Sequence, residues 1–343
     1  MVYYFTLSVL LILSFINDKI NLNKFFEIFI FIFISIIIIF RWQTGGDWAS
    51  YTNNSIHLIN QYDEIPINNF LNVLIYFVQA ILKFEEDIFF LPSIYFCIFF
   101  FLFIKEFNNS YFLLIISFPF FILLLGMGYI KQGLSLVSFL FFINYNKSIF
   151  RYIFLILALG FHPAVIVLMI IYFFSENNIF IKKKKISYFF ILLFVLLTLV
   201  FFYLYFDIFK TYYLSYIKNE SYFSYGAIPR VLVTLFFSFI YLFLFYKKKI
   251  DINFKNKNFY KFSSYFCIAL FPIVLFYPTA YDRIMLFFVF MHVVSSHCLI
   301  LSLKRNYFYK IKYFLIFFFL FTFSFWDIFA KFSFNWNYNF FLF

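Results

Sequence analysis

The chain has 343 residues, of which 65% are hydrophobic and only 12% are charged, and its formal net charge is +12. An ordinary soluble domain carries about twice that share of charged residues, and a single core in water cannot hide so much apolar surface. The composition therefore excludes a soluble globular protein and predicts a chain that crosses a bilayer many times.

Apolar runs of roughly 15–20 residues, the length with which a helix spans the hydrocarbon layer, recur along the chain. In chain order the predicted spans are Val2–Ile16, Phe25–Phe40, Phe70–Leu82, Ile88–Ile104, Tyr111–Leu125, Leu134–Ile143, Phe150–Phe174, Ser187–Phe206, Val231–Tyr246, Phe259–Tyr277, Ile284–Leu303 and Tyr313–Phe329. We predict an all-α, polytopic transmembrane helix bundle of about 10–12 spans. It forms a single integral membrane domain over residues 1–343, with no soluble domain.

The run Phe150–Phe174 is interrupted by Gly160, His162 and Pro163. It either crosses the bilayer once or forms two half-helices that meet at the break, since non-helical backbone persists at membrane depth only inside protein or beside a wet cavity. A single crossing places Arg41–Asn69 outside by simple counting. Two half-helices change the parity, so that Phe70–Leu82 is re-entrant or another count is wrong.

Basic residues cluster in three short loops, at Lys182–Lys185, Lys247–Lys249 and Lys304–Arg305. The positive-inside rule places these loops in the cytoplasm. The loops Asp207–Arg230 and Pro278–Arg283, together with the tail after Phe329, then lie outside. No soluble face is long enough to carry a nucleic-acid-binding patch, so we expect no nucleic-acid partner.

Motifs for nucleotide or metal chemistry are missing from the sequence, which has no GxxxxGK[ST] loop, HExxH, CxxC or DxD pair. We therefore expect no cofactor and no metal. The sequence instead carries polar islands within apolar surroundings. The first begins at Arg41, which closes a long apolar run and is followed by a turn at Gly45–Gly46, by Asp47 and by Tyr51. It is either a snorkelling arginine with aromatic interface anchors or an arginine aimed at an anionic group.

Further islands follow later in the chain. Lys131-Gln132 opens an apolar run, where an ammonium group is costly unless it meets a wet cavity, a partner or the interface. His162 stands at the helix break, as a packed residue or as a catalyst. Arg230 ends the Ser224–Arg230 loop.

The last island is Tyr281-Asp282-Arg283. Asp282 and Arg283 form either a surface ion pair of little energetic value or part of an anion clamp. Cations on the outer side contradict the positive-inside pattern and so need another reason to be there. A phosphorylated lipid head group is the natural anion, because the arginine fork matches phosphate oxygens.

In this order the islands resemble the EpsG/Wzy-type family of bacterial O-antigen, capsule and exopolysaccharide polymerases. The family pattern has an Arg followed by Gly-x-Asp-Tyr-x-x-Tyr, matched here by Arg41 and Gly45–Tyr51 with Trp48 in place of the first Tyr. An Arg-Gln pair is matched by Lys131-Gln132, in which the guanidinium fork is lost. Phe161-His162, Arg230 and Asp282-Arg283 match the later motifs, so that the resemblance covers most of the chain.

The resemblance implies an enzyme, a glycosyltransferase-type polymerase that joins undecaprenyl-pyrophosphate-linked repeat units at the outer face of the bacterial cytoplasmic membrane. It also implies membrane lipid, a chain-length regulator and a flippase as partners. The expected catalytic residues are Arg41, Asp47, His162, Arg230, Asp282 and Arg283, with Asp47, His162 or Asp282 as the base. The expected substrate-binding residues are Gly46, Tyr51, Lys131, Gln132 and Tyr281.

Three other functions remain open on the sequence. A polysaccharide ligase or other membrane glycosyltransferase would share the basic outer face, but ligases usually carry a larger outer loop. A flippase or transporter of the lipid-linked oligosaccharide should show internal repeats and midplane charges, and no clear repeat is visible. A membrane O-acyltransferase would use a catalytic histidine, for which His162 is one candidate.

Overall fold

The computed structural model describes residues 2–20, 22, 24–42, 44–45, 48, 70–76, 89–145, 150–175, 210, 213–214, 226–251, 253–329 and 337–340. These residues form an almost entirely helical bundle, which confirms the predicted all-α class. Among them, five helices are long and apolar enough to cross a membrane, and a bent pair makes a sixth candidate. The chain is therefore built as an integral membrane protein.

The helices of the first half are α1 (Val2–Ile20), α2 (Lys24–Ile39), α3 (Phe70–Tyr76), α4 (Phe90–Lys105), α5 (Ser110–Ser117), α6 (Ile130–Asn144), α7 (Arg151–Phe161) and α8 (Ile166–Ser175). Helix α5 continues as a π-helix over Phe118–Gly128, and nearly all of that combined span is buried within the bundle. Pro119 lies in the first turn of the π-helix and cannot donate a backbone hydrogen bond there. The span ends at Gly128, three residues before Lys131.

The helices of the second half are α9 (Ala227–Tyr246), α10 (Lys257–Ala269), α11 (Pro278–Met285), α12 (Phe290–Ser302) and α13 (Arg305–Phe329). Short 3-10 turns follow α10 at Phe271–Leu275 and α11 at Leu286–Phe288. Two-residue strands β1 (Arg41–Trp42) and β2 (Asn339–Phe340) pair antiparallel. This pairing joins the segment after α2 to the C-terminal tail.

The first and last helices define the two ends of the bundle. The first and last helices run antiparallel, because the Tyr4 hydroxyl donates to Asp327 at 2.9 Å and the Lys312 ammonium donates to Asp18 at 2.6 Å. Arg41, the start of α1 and the end of α13 therefore share one end, which we call the Arg41 end. The opposite end carries Lys304, and we call it the Lys304 end.

Helices α7 and α8 form a re-entrant hairpin with His162 at its tip. Arg151, at the start of α7, lies over the Phe142 ring at 5.3 Å, near the end of α6. Tyr172, near the end of α8, meets the same Phe142 ring at 5.3 Å. The hairpin therefore enters and leaves at the Lys304 end. Of the two interpretations of Phe150–Phe174, the structure supports two half-helices.

The hairpin is too short to cross the bilayer. Helix α7 has 11 residues, which is roughly 16 Å at 1.5 Å per residue, about half of the hydrocarbon thickness. The Ser135 hydroxyl donates to the Ala158 carbonyl at 2.6 Å and contacts the His162 carbonyl at 3.3 Å. These bonds hold the tip a little more than one helical turn along α6 from Lys131.

The positions of α2 and α4 agree with the number of crossings that the hairpin implies for the first half of the chain. Helix α4 begins at the Arg41 end, because Ser93 lies beside Arg41 and Phe90 beside Phe40. Helix α2 ends there as well. The end of α2 and the start of α4 therefore lie at the same end of the bundle, as the half-helix interpretation requires. Helix α3, between them in the chain, packs Phe70 against Phe161 near the hairpin tip.

Candidate functional site

Polar side chains from three separate elements, two of them cationic, lie close together at the Arg41 end. Lys131 lies in the first turn of α6, Arg283 in the last turn of α11, and His162 at the hairpin tip. Among the described residues, the charged groups of Lys131 and Arg283 act on His162. All three side chains are partly exposed. We call these three residues together with Arg230 and Asp282 the cationic cluster.

Arg230 and Asp282 form the best-defined contact of the cluster. The Arg230 Nε and terminal nitrogen donate to the two Asp282 carboxylate oxygens at 3.0 and 2.5 Å. The Asp282 side chain is only 2% exposed, and that of Arg230 is 15% exposed. Such a bidentate, charge-assisted pair fixes orientation as well as charge. It clamps the start of α9 to α11.

A glycine makes room for this pair. A Cβ atom at Gly226 would lie 2.6 Å from the second terminal nitrogen of Arg230. Gly226 is the N-cap residue of α9, one turn before Arg230. The guanidinium of Arg230 therefore packs against bare backbone on one side and the Asp282 carboxylate on the other.

Arg283 turns away from its sequence neighbour and stacks on an aromatic ring. Its guanidinium carbon lies 4.1 Å from the centroid of the Tyr129 ring, a distance well within the range of cation–π attraction. Tyr129 also lies near Arg230. The tyrosine at the π-helix end thus lines the cluster, although sequence reasoning did not select it. Its position two residues before Lys131 was the feature of the sequence that could have indicated a place in the site.

The hairpin tip positions His162 by a local hydrogen bond. Proline at position 163 begins the 3-10 turn Pro163–Val165, and His162 caps that turn with extended backbone (φ −156°, ψ 121°). The Ala164 backbone N–H donates to His162 Nδ1 at 3.2 Å. The imidazole also meets the Phe287 ring at 5.5 Å between centroids. These contacts hold the ring beside Arg283 and Lys131.

Arg41 occupies a neighbouring buried position. Its side chain is fully buried and donates to the Ile38 carbonyl at 2.6 Å and to the Ser93 hydroxyl at 2.7 Å. The guanidinium also lies 5.2 Å from the Phe89 ring centroid. Sequence reasoning missed Ser93, a small polar residue in an otherwise apolar run. These contacts tie the end of α2 to the start of α4.

The described residues Thr44 and Gly45, which follow β1, are held by contacts on two sides. Gly45 has a φ of +113° and packs so tightly on the Met127 carbonyl that an added Cβ would collide with it. The Thr44 hydroxyl donates to the Asn337 carbonyl at 3.2 Å. On the β2 side, burial raises the pKa of Tyr338, whose neutral hydroxyl donates to the Ile37 carbonyl at 3.1 Å. Thr44 and Gly45 thus connect the C-terminal tail to the end of the π-helix at Met127.

A match to a family model decides the relationship of this chain. The model of the EpsG family matches residues 24–340. The chain belongs to the EpsG family. That membership fits a polymerase role in polysaccharide biosynthesis and, with the apolar helices, an integral membrane protein. No match was found among curated proteins or among solved structures.

In this EpsG-family chain, two expected substrate-binding residues lie in the packed interior. Tyr281 is 1% exposed and its hydroxyl donates to the Cys267 carbonyl at 2.8 Å. Gln132 is 6% exposed. Both side chains face protein rather than the partly exposed cluster. Gly46, Asp47 and Tyr51 lie outside the described residues, so their expected roles stay predictions.

The arrangement is suited to binding an anion. Within the described residues, the cluster brings three cationic side chains and one histidine to a single carboxylate, and that carboxylate is already paired. Donors fixed by packing and by second contacts stabilise negative charge without reorganising. The expected site residues Lys131, His162, Arg230, Asp282 and Arg283 are therefore brought together, whereas Arg41 joins the end of α2 to the start of α4.

Proposed function

We propose that this protein is a polysaccharide polymerase of the Wzy type. It joins undecaprenyl-pyrophosphate-linked oligosaccharide repeat units at the outer face of the bacterial cytoplasmic membrane. The observation that carries the proposal is the cationic cluster at the Arg41 end, opposite the Lys304 end, at which α9 also ends in Lys247–Lys249. The positive-inside rule favours the cytoplasm for these lysines, which supports an outer position for the cluster, where a translocated lipid-linked sugar would present its pyrophosphate.

The reaction would transfer the growing chain from its lipid carrier to a new unit. A hydroxyl oxygen of the incoming unit bonds to the anomeric carbon of the growing chain, and the hydroxyl proton passes to a base, a role for which Asp47 is one of the sequence candidates. The bond from that carbon to the pyrophosphate oxygen breaks, and the pyrophosphate leaves with the electron pair. Arg283 and Lys131 stabilise the charge that develops on it. Asp282 keeps the Arg230 guanidinium in a fixed orientation beside Arg283, because a buried bidentate pair holds its geometry.

The test is complementation of a strain that lacks the gene, read as a ladder of surface polysaccharide on a gel. Arg283→Ala should accumulate in the membrane at the wild-type level and leave only a single repeat unit on the acceptor. Arg151→Ala is the matched control, since Arg151 stacks on Tyr152 and Phe142 at the Lys304 end. It should give a normal ladder.

Other outcomes separate the rival functions. A normal ladder from Arg283→Ala contradicts the proposal. Loss of every repeat unit, including the first, in the deletion strain indicates an earlier step and favours a flippase or transporter of the same lipid-linked oligosaccharide. Retention of free lipid-linked polymer that never reaches its acceptor favours a ligase. The cluster would serve all three with the same anionic ligand, so the product pattern decides among them.

A further inference from the structure

The hydrogen bond at the hairpin tip fixes which nitrogen of His162 carries a proton. A backbone N–H is always a donor, so the nitrogen that receives the Ala164 N–H must present a lone pair. A neutral imidazole has one N–H and one lone-pair nitrogen. With Nδ1 accepting, the proton of His162 resides on Nε2.

The surroundings of the ring oppose a second proton. Protonation at Nδ1 would remove the lone pair that caps the 3-10 turn and so would break the Ala164 bond. It would also add a positive charge beside those of Lys131 and Arg283, which already act on the ring. Among the described residues of the cluster, the one carboxylate is that of Asp282, and its charge is balanced by that of Arg230.

We propose that His162 acts as a neutral hydrogen-bond donor, through Nε2–H, to an oxygen of the lipid-linked pyrophosphate, and not as the base that deprotonates the acceptor hydroxyl. This rests on the proposed function in taking a polyprenyl pyrophosphate as the ligand. A general base needs a lone pair that faces the reacting proton. Here one ring nitrogen is already protonated, and the other is committed to the backbone. The ring therefore belongs to the anion-binding set with Lys131 and Arg283.

Substitution of His162 by Asn or by Gln separates its two roles, the acceptor that caps the 3-10 turn and the N–H that donates to the pyrophosphate. Asn at position 162 keeps a short side-chain oxygen that can cap the 3-10 turn, as Asn does at helix starts, but it places no N–H at the Nε2 position. Gln at position 162 extends an N–H to about that position and caps poorly. His162→Asn should therefore fold like wild type and bind pyrophosphate weakly, whereas His162→Gln should lose some stability and keep binding.

The experiment uses the purified full chain in nanodiscs, with a short-chain polyprenyl pyrophosphate as the binding probe and lipid-linked repeat units as the substrate. We expect His162→Asn to weaken probe binding by roughly 10- to 100-fold, the range for one hydrogen bond to a charged group. We expect His162→Gln to stay within about threefold of wild type in binding and to show the wild-type pH–rate profile.

The opposite pattern overturns the inference. A base would be lost in both variants, with turnover falling by about 10²- to 10⁴-fold and the acidic limb of the pH–rate profile removed. Equal probe binding by wild type, His162→Asn and His162→Ala would also refute a donor role. If wild type binds the probe and the variants follow the expected order, yet no polymer forms, the polymerase proposal fails and the donor role stands.

Discussion

Removing one partner of the Arg230–Asp282 pair should destabilise the protein far more than removing both. Arg230→Ala would leave the Asp282 carboxylate, now 2% exposed and held by two charge-assisted bonds, without its counter-charge. Breaking a buried ion pair in this way costs about 3–5 kcal/mol. At about 2 °C per kcal/mol for a chain of this size, the midpoint of thermal unfolding should fall by roughly 6–10 °C.

The double variant Arg230→Met with Asp282→Leu removes both charges and keeps similar volumes. Replacement of a buried pair by apolar side chains is often neutral in stability, so its midpoint should return to within about 2 °C of wild type. The measurement is fluorescence-detected size-exclusion chromatography of heated, detergent-solubilised protein. Additive losses, with the double variant less stable than either single variant, would refute the reasoning that an unpaired buried charge dominates.

Three further perturbations test the supports of the site. Gly45→Ala should lower thermal stability by about 1–3 kcal/mol, because the residue has φ +113° and its new Cβ would collide with the Met127 carbonyl; an unchanged midpoint in the same thermal assay would contradict this. Deleting residues 337–343 removes the strand that pairs with Arg41–Trp42, and limited proteolysis should then cut after α2 faster than in wild type. Lys312→Met should destabilise the α1–α13 contact by leaving Asp18 buried without its cation, and adding Asp18→Asn should restore most of the loss in a double-mutant cycle.

The sequence was sufficient to predict the all-α membrane class, because composition and run length report directly on the solvent that a helix faces. It also located the cationic residues of the cluster at predicted span ends. It did not reveal the partner of Asp282, which is 52 positions away in the chain. Neighbouring residues on a helix point in directions about 100° apart. Asp282 therefore reaches Arg230 while Arg283 reaches Tyr129, although the two adjacent charges suggested a pair.

The sequence predicted the half-helix arrangement of Phe150–Phe174 only as one of two alternatives, for a related reason. A run such as Phe150–Phe174 has the same length and apolarity whether it crosses once or turns back halfway. What decides is tertiary contact, namely the Ser135 bonds to the tip and the shared Phe142 ring at the base. Ser135 stood four residues after Lys131 in an apolar run, so its helical spacing was visible but its partner was not.

The hairpin also constrains the order in which the chain can be assembled. Lipid cannot hydrogen-bond the broken backbone at His162, so the tip is admissible at membrane depth only when protein surrounds it. Part of that shelter is Phe287 and helix α10, which follow the hairpin by about a hundred residues. The ribosome therefore has to synthesise the chain past Phe287 before the hairpin tip can gain this packing.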